Sequence, residues 1–378
     1  MTVTQSRTEG GKPRFDILDG LRGVAALMVL VYHFFEAYAP SVYGQRVNHG
    51  YLAVHFFFIL SGFVLGYAYE GRWDRMSVGE FIKRRVIRLH PMVVIGVLLG
   101  VIAYLVQGSV MWDGTAVPLT TVLLAALATL FLIPASPGSQ IDVRGFGELF
   151  PLNGPFWSLF LEYIGSILYG LILRRLSTKA LGIIALVTGA GVALYAVGNG
   201  SGFGHLGIGW TMAEGYLWAG LLCMTFSFTM GMLISRVSHK RPLRVRGAFW
   251  WCALVLVTMV SVPHFGEGQE WINGLYDALC VLLVSPLLVW IGASSSLTDR
   301  HSEAVAHFWG HISYPVYMIH YPSMYLFYNW VWSNEIPYAK GLPVGIGIIV
   351  ANILLAYLLY RYYDVPTRAH LSRRLVKH

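Results

Sequence analysis

Residues 18–38 read LDGLRGVAALMVLVYHFFEAY. The run is apolar over the ~20 residues a helix needs to cross a bilayer, yet it holds Arg22 and His33 within it. Counting this run from 17, further apolar segments follow at about 51–69, 86–107, 119–134, 155–173, 180–198, 216–235, 247–263, 273–292, 306–329 and 343–362. Together they predict an all-α fold, a polytopic transmembrane helical bundle. The segment 119–134, LTTVLLAALATLFLIP, is the shortest and closes on Pro134. It is expected to be interfacial or re-entrant, which leaves about ten spans.

Composition agrees with a bilayer as solvent. Of the 378 residues 56% are hydrophobic and only 12% charged, where a soluble domain carries about 25% charged residues. The mean hydropathy is +0.58. These values exclude a disordered chain, a coiled coil and an ordinary cytosolic enzyme. The net charge of +8 has no Lys/Arg stripe on a soluble domain behind it, so no nucleic acid is expected as a partner. Cys223, Cys252 and Cys280 all lie in apolar runs without short spacing, and read as small buried hydrophobes, not as a disulfide frame or a metal site. The first 14 residues, MTVTQSRTEGGKPR, contain no apolar stretch of the kind a cleavable signal peptide requires.

Charge also orients the chain. With ten spans and a cytoplasmic N-terminus, every basic residue except Arg22, Arg46, Arg144 and Lys340 falls on the cytoplasmic side, as loop charge statistics demand. Eleven crossings would turn the second half of that set outward. Both termini are therefore expected in the cytoplasm, as tails over 1–14 and 364–378. One transmembrane domain over 1–378 is expected, with no appended soluble domain and with 135–154 as a polar loop on the opposite side.

Ionisable side chains inside spans are costly and stand as functional candidates. Arg22 and His33 are eleven positions apart, three turns along one helix face and about 16 Å along its axis. Arg22, near the cytoplasmic end and close to Asp19, suits an anionic group; His33 lies deeper, and histidine is the side-chain type whose unperturbed pKa is near neutrality, which suits general-base work. Taken singly, Arg22 would also be explained by snorkelling to lipid phosphate and His33 by packing. In EFIKRRVIRLHP (80–91), Arg85 and Arg88 face one way, as either a phosphate clamp or a cytoplasmic anchor requires. In NGPFWSLFLEYIGSILYG (153–170), Glu162 follows Trp157 by five residues; a carboxylate there must pair, either orienting a histidine or holding an arginine. ISYPVYMIHYP (312–322) sets His320 near Tyr317, and GYLAVHFFFILSGFVLGY (50–67) carries His55 and Ser61, whose Ser-Gly pair suits close helix packing. No zincin, CxxC, P-loop, GxSxG or dinucleotide pattern is present.

At these residues the chain resembles the acyltransferase-3 family of integral-membrane acyltransferases, over nearly its whole length. Arg22 and His33 are similar to the family's first-span Arg-x10-His signature, and FFILSGF (57–63) to its Phe-Phe-x-x-Ser-Gly-Phe element. Arg85 and Arg88 resemble its Arg-x-x-Arg element, Trp157 to Glu162 its Trp-Ser-Leu-x-x-Glu motif, and Tyr317 to His320 its late Tyr-x-x-His segment. One departure is His55, where the family commonly has an acidic residue. The resemblance implies a bacterial inner-membrane enzyme that moves an acyl group, acetyl by default, from cytoplasmic acyl-CoA to a hydroxyl of a glycan or lipid-linked envelope acceptor, as in O-acetylation of polysaccharides. It implies His33, Arg22 and Glu162 in catalysis, with His33 acting directly or through an acyl-histidine. Arg85 and Arg88 would bind the donor, with Asp19, Ser61, Trp157, Tyr317 and His320 in support. No permanently bound cofactor is implied beyond the donor substrate. The rival reading is a transporter or flippase that uses the same Arg, His and Glu as a substrate or proton path. Oligomeric state is left open.

Overall fold

The computed structural model describes residues 15–39, 41, 44–238 and 245–376. The N-terminal tail with Arg7, Lys12 and Arg14, and the basic residues Lys240, Arg241, Arg244 and Lys377, lie outside the described residues. The described residues form helices α1 (Asp16–Glu36), α2 (Leu52–Tyr69), α3 (Val78–Val106), α4 (Leu119–Leu130), α5 (Phe156–Leu171), α6 (Thr178–Val197) and α7 (Tyr216–Ser238). They continue with α8 (Ala248–Ser261), α9 (Glu270–Leu279), α10 (Ser285–Ser294), α11 (Arg300–Ser333), α12 (Tyr338–Leu359) and α13 (Val365–Leu375). A π-turn over Cys280–Val284 joins α9 to α10, and another over Tyr360–Asp364 joins α12 to α13. No β-strand occurs among the described residues, only isolated bridges such as Glu148 to Thr211. The all-helical expectation therefore holds.

Among the described residues, eight helical stretches are long and apolar enough to cross a bilayer. α8, with 14 residues, falls short in length, and α11, with 34 residues rich in His and Tyr, falls short in hydropathy. Those two helices separate the eight from the expected ten. α4 spans only 12 residues, about 18 Å at the helical rise, well under a ~30 Å hydrocarbon core. From Asp364 the chain runs through the π-turn into α13. In the polar loop 135–154, Asp142, Arg144, Glu148 and Asn153 are buried.

The helices pack closely where small residues permit it. A Cβ on Gly231 of α7 would sit 2.0 Å from the Ile59 carbonyl oxygen of α2, and one on Gly62 would sit 2.2 Å from that of Phe228. Glycine at both positions lets the two backbones touch. α1 lies along α11 in the same way, Gly23 against Trp309 and Gly310 against Asp19. Side-chain caps start three helices at polar ends: Ser77 accepts from the Glu80 amide, Ser177 from that of Ala180 and Asp299 from that of Ser302.

α11 contains Pro315 and Pro322. Pro322 has no N–H, so the Met318 carbonyl four residues earlier loses its helical partner. Asn153, fully buried in the loop before α5, donates to that carbonyl at 2.9 Å. The proline thus creates the acceptor that ties the 150–155 turn to α11. Asn153→Ala should leave it unsatisfied and destabilise the protein by ~1–3 kcal/mol. Thermal unfolding in detergent or nanodiscs measures this, and an unshifted melting temperature would remove the tie from the account of the fold.

Candidate active site

His33 lies near the C-terminal end of α1. Three positions on, Glu36 shares its helix face, and the His33 Nδ1–H donates to Glu36 Oε2 at 2.5 Å. That contact places the proton on Nδ1 and leaves Nε2 as the basic ring nitrogen. α11 fixes the rest. The Tyr328 hydroxyl donates to Glu36 Oε2 at 2.9 Å and lies 2.6 Å from the His33 carbonyl oxygen. The His320 ring stacks on His33 with centroids 5.4 Å apart, and Tyr321 meets it edge-on at 4.6 Å. His320 is itself held by an Nδ1 donation to the Tyr317 carbonyl at 2.9 Å.

His33 and Glu36 open on a cavity of about 350 Å³ that Trp157, Glu148, Tyr317 and Tyr321 also line. A second cavity, of about 130 Å³, lies toward the start of α1 and is lined by Arg22, Ser61, Arg85, Arg88, Glu162 and Tyr314 among others. Val54 and Tyr317 line both cavities, so the two meet there. Tyr317 is set by its hydroxyl, 2.6 Å from Ser158 Oγ. The second cavity sits where α2 ends and α3 begins, at the basic end of the bundle. There Arg236 pairs with Glu70 and the Arg174 guanidinium lies 3.9 Å from the Trp73 ring centroid.

Arg22 donates through Nε to Ser313 Oγ and through Nη2 to the Gly310 carbonyl, both at 2.8 Å, with Asp19 at 3.3 Å. Arg85 pairs with Glu162 at 2.6 Å and donates to Ser166 Oγ at 3.2 Å. Ser61 donates to the same Glu162 oxygen at 3.1 Å. Glu162 therefore holds an arginine and does not touch His33. Arg88 is half-buried and lines this cavity, with the Asp364 carboxylate and the Tyr314 hydroxyl within reach of its charge. Trp157 and Tyr317 stand on the His33 side with His320 behind them. His55 donates from Nε2 to the Leu206 carbonyl at 2.9 Å, which replaces any acidic contact at that position.

Two carboxylates at the His33 cavity had not been singled out from the sequence. Glu36 carried a readable signal, since His-x-x-Glu within one span places both groups on one face. Glu148 carried none. It lies in an irregular loop and reaches the cavity only because Tyr325 donates to both its oxygens, at 2.9 and 2.8 Å. The Arg144 guanidinium, stacked 3.4 Å over the Tyr325 ring, closes that cluster.

The sequence has counterparts among known proteins. Residues 15–361 match the model of the acyltransferase-3 family, described as an acyltransferase domain. The chain belongs to that family and is an integral membrane protein. It is 24% identical to the acyltransferase MdmB of Streptomyces mycarofaciens over 96% of this chain and 93% of that protein. It is 36% identical to protein 2 in the picA locus of Rhizobium radiobacter over 41% of this chain and 81% of that protein. No solved structure matches.

Glu148 also yields a pH prediction. Burial pushes its carboxyl up from 4.5 to about 7, against the opposing pull of Arg144. A carboxyl raised on folding stabilises the fold in its protonated form. That contribution is complete below the unfolded value near 4.5 and disappears as pH rises through about 7. The melting temperature should fall between pH 5 and 8, and Glu148→Gln should flatten the decline. Equal slopes in the two proteins would show that Glu148 does not titrate there.

Proposed function

We propose that the protein is a membrane O-acyltransferase that moves an acyl group, acetyl in the simplest case, from cytoplasmic acyl-CoA to a hydroxyl of a glycan or lipid-linked envelope acceptor. The observation that carries this reading is the pair of cavities, one lined by arginines and the other by a histidine–carboxylate pair, that meet at Val54 and Tyr317. The arginine cavity suits the phosphates of the donor, since guanidinium groups bind phosphate in a bidentate manner. Its position at the basic end supports entry from the cytoplasm. Glu162 offsets part of the charge and holds Arg85 in place, and Arg88 on the same cavity would reach the ligand. The acyl thioester would then extend past Tyr317 toward His33. The bacterial relatives support an inner-membrane location.

Transfer requires a base beside the acceptor hydroxyl. His33 Nε2 takes the hydroxyl proton as the oxygen bonds to the acyl carbon. The carbon–sulfur bond breaks, and the proton passes to the leaving thiolate, so that ester and free CoA result. Glu36 keeps Nε2 in the basic tautomer and stabilises the imidazolium formed midway. His320 and Tyr321 hold the ring plane. In proteoliposomes supplied with radiolabelled acetyl-CoA, His33→Ala should abolish transfer, and normal transfer by that variant would end the assignment. Glu36→Gln should lower kcat by about 10²-fold or more with little change in donor KM. Arg88→Ala should raise donor KM by about 10-fold, the loss of one charge-assisted contact. An unchanged donor KM would sink the phosphate assignment. Mass spectrometry of envelope glycans and lipids, with and without the gene, identifies the acceptor by the gain of one acyl mass.

A further inference from the structure

The wall of the larger cavity away from His33 is built from residues that the transfer step leaves unused. His49 and Asp277 are buried there at 1% and 0% exposure, and His49 Nδ1 donates to Asp277 Oδ1 at 2.7 Å. The other carboxylate oxygen accepts the Leu206 amide at 2.7 Å. Both oxygens are paired, so Asp277 acts as a frame for the wall. On that frame stands Tyr51, its hydroxyl 2.9 Å from His49 Nδ1 and 3.3 Å from His264 Nε2. With the Nδ1 proton of His49 directed to Asp277, the Tyr51 hydroxyl donates to His264. His205 accepts the Gly207 amide at Nδ1, 3.1 Å away, so its own proton sits on Nε2 as a donor. Tyr51, His205 and His264 all line the cavity.

The wall is neutral. Burial drives the His205 ring down to about 4 and the His264 ring to about 3, so neither carries charge near pH 7. No arginine or lysine is among the described residues that line this cavity, while Glu36 and Glu148 are. An anionic ligand would therefore meet carboxylates without a compensating cation, at a large desolvation cost. Nor could the histidines serve as a metal site, since no group of three or more His, Cys, Asp or Glu among the described residues is placed to hold an ion. Flat surfaces complete the wall. Phe146 stacks on Trp210 at 5.7 Å and 15°, and Phe203 on His205 at 5.7 Å and 10°. Phenol and neutral imidazoles pair with hydroxyl groups, and aromatic faces cover the apolar face of a saturated ring. Tyr32 lies between the wall and His33, 6.1 Å from the Tyr51 ring and 5.0 Å from that of His33, so a ligand of one or two rings reaches both.

We propose that this wall is a subsite for an uncharged, hydroxyl-bearing sugar ring of the acceptor, read by Tyr51, His205 and His264. The inference rests on the acyl-transfer reading and narrows it: any phosphate on the acceptor stays outside the cavity, and the ring that enters is neutral.

The test uses the full chain in nanodiscs, with the methyl glycosides of glucose, galactose and mannose and their 6-phosphates as probes, followed by saturation-transfer NMR. At least one neutral glycoside should bind with a millimolar Kd, and its 6-phosphate at least 10-fold more weakly. Tyr51→Phe and His205→Phe should each weaken the neutral glycoside about 3- to 10-fold, as the loss of one neutral hydrogen bond implies. Binding of the 6-phosphates as tight as that of the glycosides, or no glycoside binding, would overturn the subsite, and so would wild-type affinity in both variants. The comparison of neutral with phosphorylated probes needs only the wild-type chain, so it stands even where a variant fails to fold. Acetyl-CoA binding, measured on the same nanodiscs, separates the two readings: its absence strikes the acyl-transfer proposal and leaves the sugar result to be judged by itself.

Discussion

The packing of α1 along α11 is the constraint on which the rest of the site depends. The two helices approach closely because Gly23 and Gly310 put no side chain between them. Both functional candidates on α1 are then positioned by α11. Arg22 reaches Ser313 and the Gly310 carbonyl, while His33 and Glu36 are met by His320, Tyr321 and Tyr328. Eleven positions along one helix are thus turned into two separate environments, each with partners from the same neighbouring helix. α11 is in turn fixed by its prolines, since the carbonyl freed by Pro322 binds Asn153 and with it the turn that leads to Trp157 and Ser158.

The division of charge between the two cavities follows from the cost of burying ions. A lone guanidinium or carboxylate in an apolar bundle is unfavourable by several kcal/mol. Arg85 and Glu162 therefore neutralise one another, and Ser61 and Ser166 satisfy what remains of their hydrogen bonding. Arg22, paired with Asp19, and Arg88 line the cavity at the basic end. At the other end the carboxylates are met by donors from tyrosine and histidine. This polarity makes two substrates of different charge compatible with one bundle. The proposed phosphate-bearing donor and the proposed neutral acceptor ring would approach from opposite ends and meet beside Tyr317.

Much of the architecture was legible in the sequence because it depends on local quantities. Apolar run length sets a helix, and α1, α2, α5, α6 and α7 lie close to the apolar segments that predicted them. The shortness of 119–134 foretold α4. What run length did not show is that the polar stretch Val365–Leu375 is a helix continued from α12 through a π-turn. Nor did it show that the polar residues of the loop 135–154 are buried, Glu148 and Asn153 held by Tyr325 and the Met318 carbonyl of α11.

The sequence by itself determined that the chain is helical and apolar, and it singled out Arg22, His33, Glu162 and His320 as ionisable groups in or beside the apolar runs, since run length and residue type are properties of the chain alone. The family follows from the order of the motifs around them. Only the tertiary structure decided that Glu162 belongs to Arg85 and not to His33, that Glu148 reaches the histidine cavity, and that His49 and Asp277 frame its far wall. The last pair is separated by 228 positions. Distances across such separations are set by how helices pack, and no periodicity within one segment encodes them.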